Sequence, residues 1–248
     1  MPDLAALVPT LVALAILVAL TVAVLWGSRT PSFVAPAVAI LRGAAQLALI
    51  SLVLGGIIND PLWVAVALLV MFTVAVATAT RRLTWSWRRF AAVAATMALG
   101  ILVTLAVVFG TGAIEFTPRY VLAVGGIVIG NCMSIAVLAG RRFFEAVRDQ
   151  WSEVEGWLAL GAQPSRATLT QARFSVHAAL IPSIDQTKTT GLVTLPGAFV
   201  GAIFGGASPL EAGRFQVVVL ASIMAAGSIT AVALIRSLRS VKVRPEPL

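Results

Sequence analysis

The sequence predicts an all-α, polytopic membrane protein, and three observations carry that expectation. The apolar residues A, V, I, L, M, F, W, Y and C make up 59% of the 248 positions and charged residues only 11%, against ~25% charged in an ordinary soluble domain. The apolar residues come in long runs, seven of them near the ~20 residues that cross a ~30 Å hydrocarbon layer. The 18 Lys and Arg gather in alternate gaps between those runs. So few charges could not cover so much apolar surface in water. Disorder, a coiled coil and a collagen-like fibre are excluded on the same grounds. The single cysteine, Cys132, rules out a disulfide within the chain.

The seven expected spans are Leu4–Trp26, Phe33–Ile58, Pro61–Thr80, Phe90–Gly110, Pro118–Ala139, Thr187–Gly206 and Phe215–Ile235. They leave little chain outside the bilayer, so residues 1–248 are expected to form one transmembrane domain. The first run is too long for a signal-peptide core and follows Asp3 rather than a basic residue, so it is expected to stay as a span. The sixth is the weakest. Pro182 and Asp185 interrupt the apolar run before it, and Pro182 removes a backbone donor, so a discontinuous entry into the membrane is expected. No internal repeat is visible. Placing the N-terminus outside puts Arg29, Arg81, Arg82, Arg88, Arg89, Arg141, Arg142, Arg148, Arg166, Arg173, Arg236, Arg239, Lys242 and Arg244 in the cytoplasm, or 14 of the 18 basic residues. Only Arg119 and Arg214 fall outside, while Arg42 and Lys188 lie within spans. The positive-inside rule therefore predicts N-out, C-in. It also accounts for the net charge of +8 without a nucleic-acid partner. The basic, Trp-containing loop 81–89, RRLTWSWRR, reads as a lipid-headgroup anchor for the same reason.

The longest segment outside the spans, Gly140–Arg173, opens with a helical stripe. Phe144, Val147, Trp151, Val154 and Leu158 recur at spacings of 3, 4, 3 and 4. Gly161 is placed to end that helix and Pro164 to begin the next. The pattern fits a helix lying on the membrane surface, or a docking element for a soluble partner. The Glu-x5-Gly spacing of Glu155 and Gly161 resembles the EAA loop of ABC permeases, which favours docking.

A wider resemblance rests on several blocks: IEF at 114–116, GNCM at 130–133, Glu155 followed by LALGAQPSRA at 158–167, Arg173, AALIPSIDQTKTTGLVTLPG at 178–197, the region of Gly201 and Gly205, and SPLEAGRFQ at 208–216. Together they resemble the iron-export permease family of FetB-like proteins, which has plant relatives linked to aluminium tolerance. The first hundred residues match in hydropathy and in Arg42 and Gln46, but in little else. The resemblance implies a permease subunit in the bacterial inner membrane that exports iron or a related metal. It further implies a separate P-loop ATPase that uses the ATP, in an assembly of two permeases and two ATPases. Trp151, Glu155, Gly161, Ala162 and Pro164 would then form the docking surface. The chain departs from the family at Ala198 and Phe199, where a Met pair is common, and at Phe215-Gln216 in place of Tyr-Gln. Both weaken a thioether path for soft metal through the sixth span, and leave Met133, Met97, Met71 and Met224 as the other Met candidates.

Candidate pathway residues are Arg42, Gln46, Asn131, Met133, Asp185 and Lys188. Arg42 and Gln46 lie four apart near the middle of the second span, as an interhelical anchor or a pathway group. Arg42 suits an anionic substrate such as a chelate or nucleotide-sugar better than a bare cation. Asp185 and Lys188, three apart, pair with each other at the expected cytoplasmic mouth of the sixth span, or leave Asp185 to attract a hard cation. Asn131, Cys132 and Met133 sit mid-span beside Gly125, Gly126 and Gly130, a setting that suits helix packing as well as ligation. His177 reads as a locally satisfied side chain and Glu115 as a solvated loop charge. No metal-binding set emerges. The chain lacks GxxxxGK[ST], HExxH and GxSxG, so no nucleotide or cofactor is expected to bind it and no catalytic residue is assigned. Alternatives that stay open are an ABC permease for a nucleotide-sugar, a carrier driven alone by an ion gradient with Asp185 as its proton site, and a non-transporting adaptor.

Overall fold

The computed structural model describes the backbone of residues 4–246 and the side chains of 8–51 and 58–246. Asp3 lies outside them. The described residues form ten helices and no named strand, and the chain is a polytopic all-α membrane protein. It divides into two compact units, Met1–Ile58 and Asn59–Leu248.

The first unit is a helical hairpin of α1 (Leu4–Gly27) and α2 (Ala35–Ile57). Both helices are apolar almost all round, which marks a lipid-facing segment rather than one packed in a soluble core. The turn between them carries two residues with positive φ, Arg29 and Ser32.

The second unit is a bundle around three long helices: α4 (Trp87–Gly110), α5 (Pro118–Asp149) and α10 (Pro209–Leu238). The chain reaches them through α3 (Pro61–Arg82), which packs on α5 and α4. Local chemistry sets the helix starts. Asp60 accepts from Leu62 N ahead of Pro61, and Ser86 accepts from Arg89 N. Ser208 and Glu211 form a full capping box ahead of α10 with Pro209 in its first turn. The core is made of small and branched residues, with Val76, Val93, Met97, Val124, Val128, Cys132 and Ala226 almost wholly buried. Close approach of α4 to α10 depends on Gly100. A Cβ there would sit 2.5 Å from Ala226 O and 2.6 Å from Thr230 Oγ1. Thr230 Oγ1 turns its hydroxyl to Cys132 Sγ at 3.6 Å, tying α10 to α5.

Seven helices reach 21 residues or more, but not the seven runs expected. The expected sixth span, Thr187–Gly206, is not one helix. It begins as the last residues of α8 (Leu169–Thr189) and turns at Gly191 with φ +90. It ends as α9 (Gly197–Phe204), whose 8 residues reach only ~12 Å at 1.5 Å each. Gly206 (φ +96) then closes α9 before Pro209 opens α10. The long helix of this region is α8, about 18 residues earlier, and it is not one of the five helices of the described residues that are long and apolar enough to cross a membrane. Apolar content suggested otherwise, because α8 carries Arg173, His177, Asp185 and Lys188, while 190–207 is apolar but punctuated by Gly and Pro. Pro182 does not interrupt α8. It removes one hydrogen bond, while Ala179 and Ser183 beside it stay buried in the bundle.

Candidate functional site: an exposed apolar knob and a polar helix

Charge divides the second unit into two ends. One collects the C-termini of α3, α5 and α10 and the N-terminus of α4, with Arg82, Arg89, Arg141, Arg148 and Arg239; here it is called the basic end. The other holds Asp60, Glu115 and Glu211, with Arg119 donating to Asn59 at 2.9 Å.

At the basic end α5 does not stop where the expected fifth span stops. It continues unbroken from Pro118 to Asp149, 32 residues or ~48 Å. The amphipathic stripe read from the sequence is thus the continuation of a membrane helix, broken at Gln150 and resumed as α6 (Trp151–Ala159). The stripe faces inward as its spacing requires. Val147 and Val154 are fully buried, and Phe144, Trp151 and Leu158 pack against the same cluster with Phe143, Ala139 and Ile235. The α6 segment closes on a Schellman motif: Gly161 N donates to Leu158 O at 3.0 Å and Ala162 N to Trp157 O at 3.0 Å, with Gly161 at φ +85. Pro164 then begins the short α7 (Pro164–Ala167). Two ties fix this frame to the bundle. Thr168 Oγ1 donates to Arg239 O at 2.7 Å, and Gln171 Nε2 donates to Gln150 Oε1 at 2.8 Å.

Two apolar residues on this frame are not covered. Leu160 is 83% exposed and Trp157 53% exposed, flanking the Gly161 turn, with Glu155 exposed nearby. The structure therefore groups Glu155, Gly161, Ala162 and Pro164 around one knob, with Trp151 half-buried as a support beneath it. Sequence reasoning missed Trp157 and Leu160. The available signal was that both are large apolar residues lying off the inward stripe.

The second feature is α8. It runs antiparallel to α5 and α10: its first residues meet Gln150 and Arg239, and Leu180 lies with Ile135 and Gly227 further along. Its buried face is Gln171, Ala172, Ser175, Ala179 and Ser183, small groups that allow close packing. Its exposed face carries Arg173, His177, Ile181 and Asp185, each four residues from the last. The Lys188 Nζ to Asp185 Oδ1 distance is 3.7 Å, so the expected ion pair forms. Its position is corrected, however. Asp185 lies 14 residues beyond Gln171, ~21 Å up the helix from the basic end, and not at a mouth on that side. The reason is the same shift of the sixth helix described above.

The other expected pathway residues are dispersed. Asn131 is half-buried and donates Nδ2 to Ile127 O at 2.8 Å on its own helix. Met133 packs against the apolar core. Arg42 and Gln46 belong to the first unit, exposed on one face of α2. Among the described residues no three His, Cys, Asp or Glu side chains converge as a metal set.

The comparisons with known proteins agree with one another. The profile described as "Uncharacterised protein family (UPF0014)" matches residues 8–241. The chain is similar to the UPF0014 membrane protein STAR2 of Oryza sativa subsp. japonica, 40% identical over 196 residues, which is 78% of this chain and 69% of that protein. It is 35% identical to Protein ALUMINUM SENSITIVE 3 of Arabidopsis thaliana over 77% of this chain and 71% of that one. The probable iron export permease protein FetB of Escherichia coli (strain K12) is 36% identical over 140 residues, or 56% of this chain and 53% of that protein. No solved structure matches.

Proposed function

Since the chain belongs to the UPF0014 family of membrane proteins, we propose that it is the transmembrane permease subunit of an ABC transporter. In this reading two copies work with two copies of a separate P-loop ATPase, and the substrate exported is iron or a related metal species. The chain sits in a bacterial inner membrane with its N-terminus outside and its basic end in the cytoplasm, where positive loops are retained and ATP is available.

The observation that carries the reading is the knob at the basic end. A buried frame of Val147, Val154 and Phe143 holds Trp157 and Leu160 out into solvent at a turn fixed by Gly161. An exposed apolar pair on a rigid mount suits insertion into a cleft of a soluble partner. Because α5 continues from the bundle to within one residue of α6, a push on the knob passes directly into a helix that lines the core. The helix α8 begins on the same frame, through Gln171 and Thr168. Mechanism is then coupling rather than bond chemistry. Closure of the ATPase dimer moves the 141–173 segment, and that segment moves α5 and α8 together.

The polar face of α8 supports a path beside it. A charged side chain facing lipid at mid-bilayer costs at least ~2.5–3.5 kcal/mol, so Asp185, ~21 Å along α8 from the basic end, requires water or protein opposite it. From the basic end a cation passing along this face meets Arg173 first and then the Asp185–Lys188 pair. Asn131 and Met133 of α5 are proposed with them, while Arg42 and Gln46 are proposed only as polar groups of the first unit taken by itself. The name of the FetB relative motivates the metal.

The test is purification of the tagged chain from native membranes in mild detergent. A P-loop ATPase retained at near-equal ratio, with ATP hydrolysis dependent on the pair, is the expected result. A chain that emerges alone and without ATP hydrolysis overturns the ABC reading, and transport retained without any ATPase would instead establish a gradient-driven carrier.

A further inference from the structure

A cavity of about 490 Å³ opens at the basic end, away from the knob and from the polar face of α8. Its walls are the start of α4 through Ala92, Phe144 of α5, the end of α10 at Ser237 and Leu238, and the stretch 240–245 that follows it. That stretch is held in place: Arg239 O accepts from Thr168 Oγ1 at 2.7 Å, and Arg244 Nη2 donates to Arg148 O at 3.5 Å. The polar side chains lining the cavity are Arg88, Arg89, Ser86, Ser237 and Ser240, and no carboxylate lines it among the described residues. Arg89 is pre-oriented. Its Nη1 donates to Leu83 O at 3.0 Å and Thr84 O at 2.9 Å, and its guanidinium lies 5.6 Å from the centre of the Phe144 ring. Its remaining N–H groups and the guanidinium of Arg88 have no partner among the described residues. The floor is apolar, formed by Ala92, Leu238 and Val241.

Two neighbouring arginines without a counter-charge call for an anion, and their planar forks match phosphate oxygens. Trp85, Trp87 and Phe90, which flank Ser86, Arg88 and Arg89 in the sequence, cluster with ring centroids 5.5–5.9 Å apart. Such aromatic groups sit at headgroup level. Basic pockets between membrane helices are recognised settings for anionic headgroups, and the volume lies within the usual ~300–1,000 Å³ of ligand sites. We propose that this cavity is a discrete binding site for a phosphate group, with Arg88 and Arg89 as the anion clamp and the apolar floor receiving whatever carries the phosphate. An anionic phospholipid headgroup fits both halves; a free phosphate would use only the clamp. The inference does not depend on the transport reading.

The experiment uses the full chain in a neutral detergent, with bound molecules counted by native mass spectrometry. Three probes are compared: dioctanoyl phosphatidylglycerol, dioctanoyl phosphatidylcholine and inorganic phosphate. One phosphatidylglycerol per chain is expected, with little phosphatidylcholine. Arg88→Ala should weaken it about fivefold, the effect of one basic residue near a lipid surface. Arg142→Ala removes the same charge from the same end, but that side chain lies outside the cavity and pairs with Glu145 at 3.2 Å, so binding should not change. Displacement of the lipid by inorganic phosphate, with the same Arg88 dependence, would support the clamp and assign it to a soluble phosphate. Equal weakening by Arg88→Ala and Arg142→Ala, or binding of neither anion, overturns the site. Should Arg88→Ala fail to accumulate, Ser240→Ala reads the same cavity.

Discussion

Truncation of Leu160 separates docking from folding. The side chain is 83% exposed, whereas Val154, six residues earlier, is fully buried. Burying a leucine is worth ~1.5–3 kcal/mol, and each CH₂ ~0.8 kcal/mol. Nearly all of that remains available in Leu160 for a partner. Leu160→Ala should therefore leave the melting temperature of the isolated chain unchanged and weaken binding of the ATPase subunit by about 2 kcal/mol, roughly 30-fold in Kd. Val154→Ala should do the reverse. It opens a void beneath the knob, costs about 1–3 kcal/mol of stability, and changes docking only as far as the frame loosens. The assay is biolayer interferometry of the detergent-solubilised chain against its ATPase, beside a thermal melt of each variant. Leu160→Ala binding within twofold of the unaltered chain, with Val154→Ala destabilised as expected, would refute the docking assignment. A lowered melting temperature in Leu160→Ala would refute the view that the knob is free.

Three further outcomes follow from the same geometry. Gly161→Trp places a large side chain into open space, since nothing lies within 4 Å of a Cβ there, but forces an L-residue to φ +85; it should cost ~1–2 kcal/mol of stability and uncouple ATP hydrolysis from export, read as ATPase activity without metal efflux from vesicles. Gly100→Ala sets a methyl group 2.5 Å from a backbone oxygen of α10, which cannot rotate away, so a loss of about 1–3 kcal/mol in the thermal melt is expected. Asp185→Asn removes the negative charge from the exposed face of α8 and leaves Lys188 without its 3.7 Å partner; efflux should fall while ATPase docking, measured as above, stays intact.

Much of the basic end was legible in the residues. The 3-4-3-4 spacing of Phe144 to Leu158 marked its inward face, Gly161 its stop and Pro164 its restart, because helix periodicity and caps are local properties of the chain. What escaped notice there was Trp157 and Leu160. A local pattern tells which residues can share a face, but whether that face is covered depends on residues such as Ala179 and Ile235, which come from other helices.

The membrane class, the all-α architecture and the clustering of basic residues needed no fold to be read. They depend on the cost of exposing apolar surface and burying charge, which is summed residue by residue. The choice of the long helix within 169–206 did need one. Residues 190–207 are the more apolar candidate, yet Gly191, Pro196 and Gly206 break them, and α8 takes the position although it is more polar. Hydropathy ranks a segment by its average affinity for lipid. The bundle selects one by its faces: Ala172, Ser175, Ala179 and Ser183 fit closely against α5 and α10, and the charged residues of α8 collect on the other side. Only packing between helices could make that choice, and it moved Asp185 and Lys188 away from the basic end.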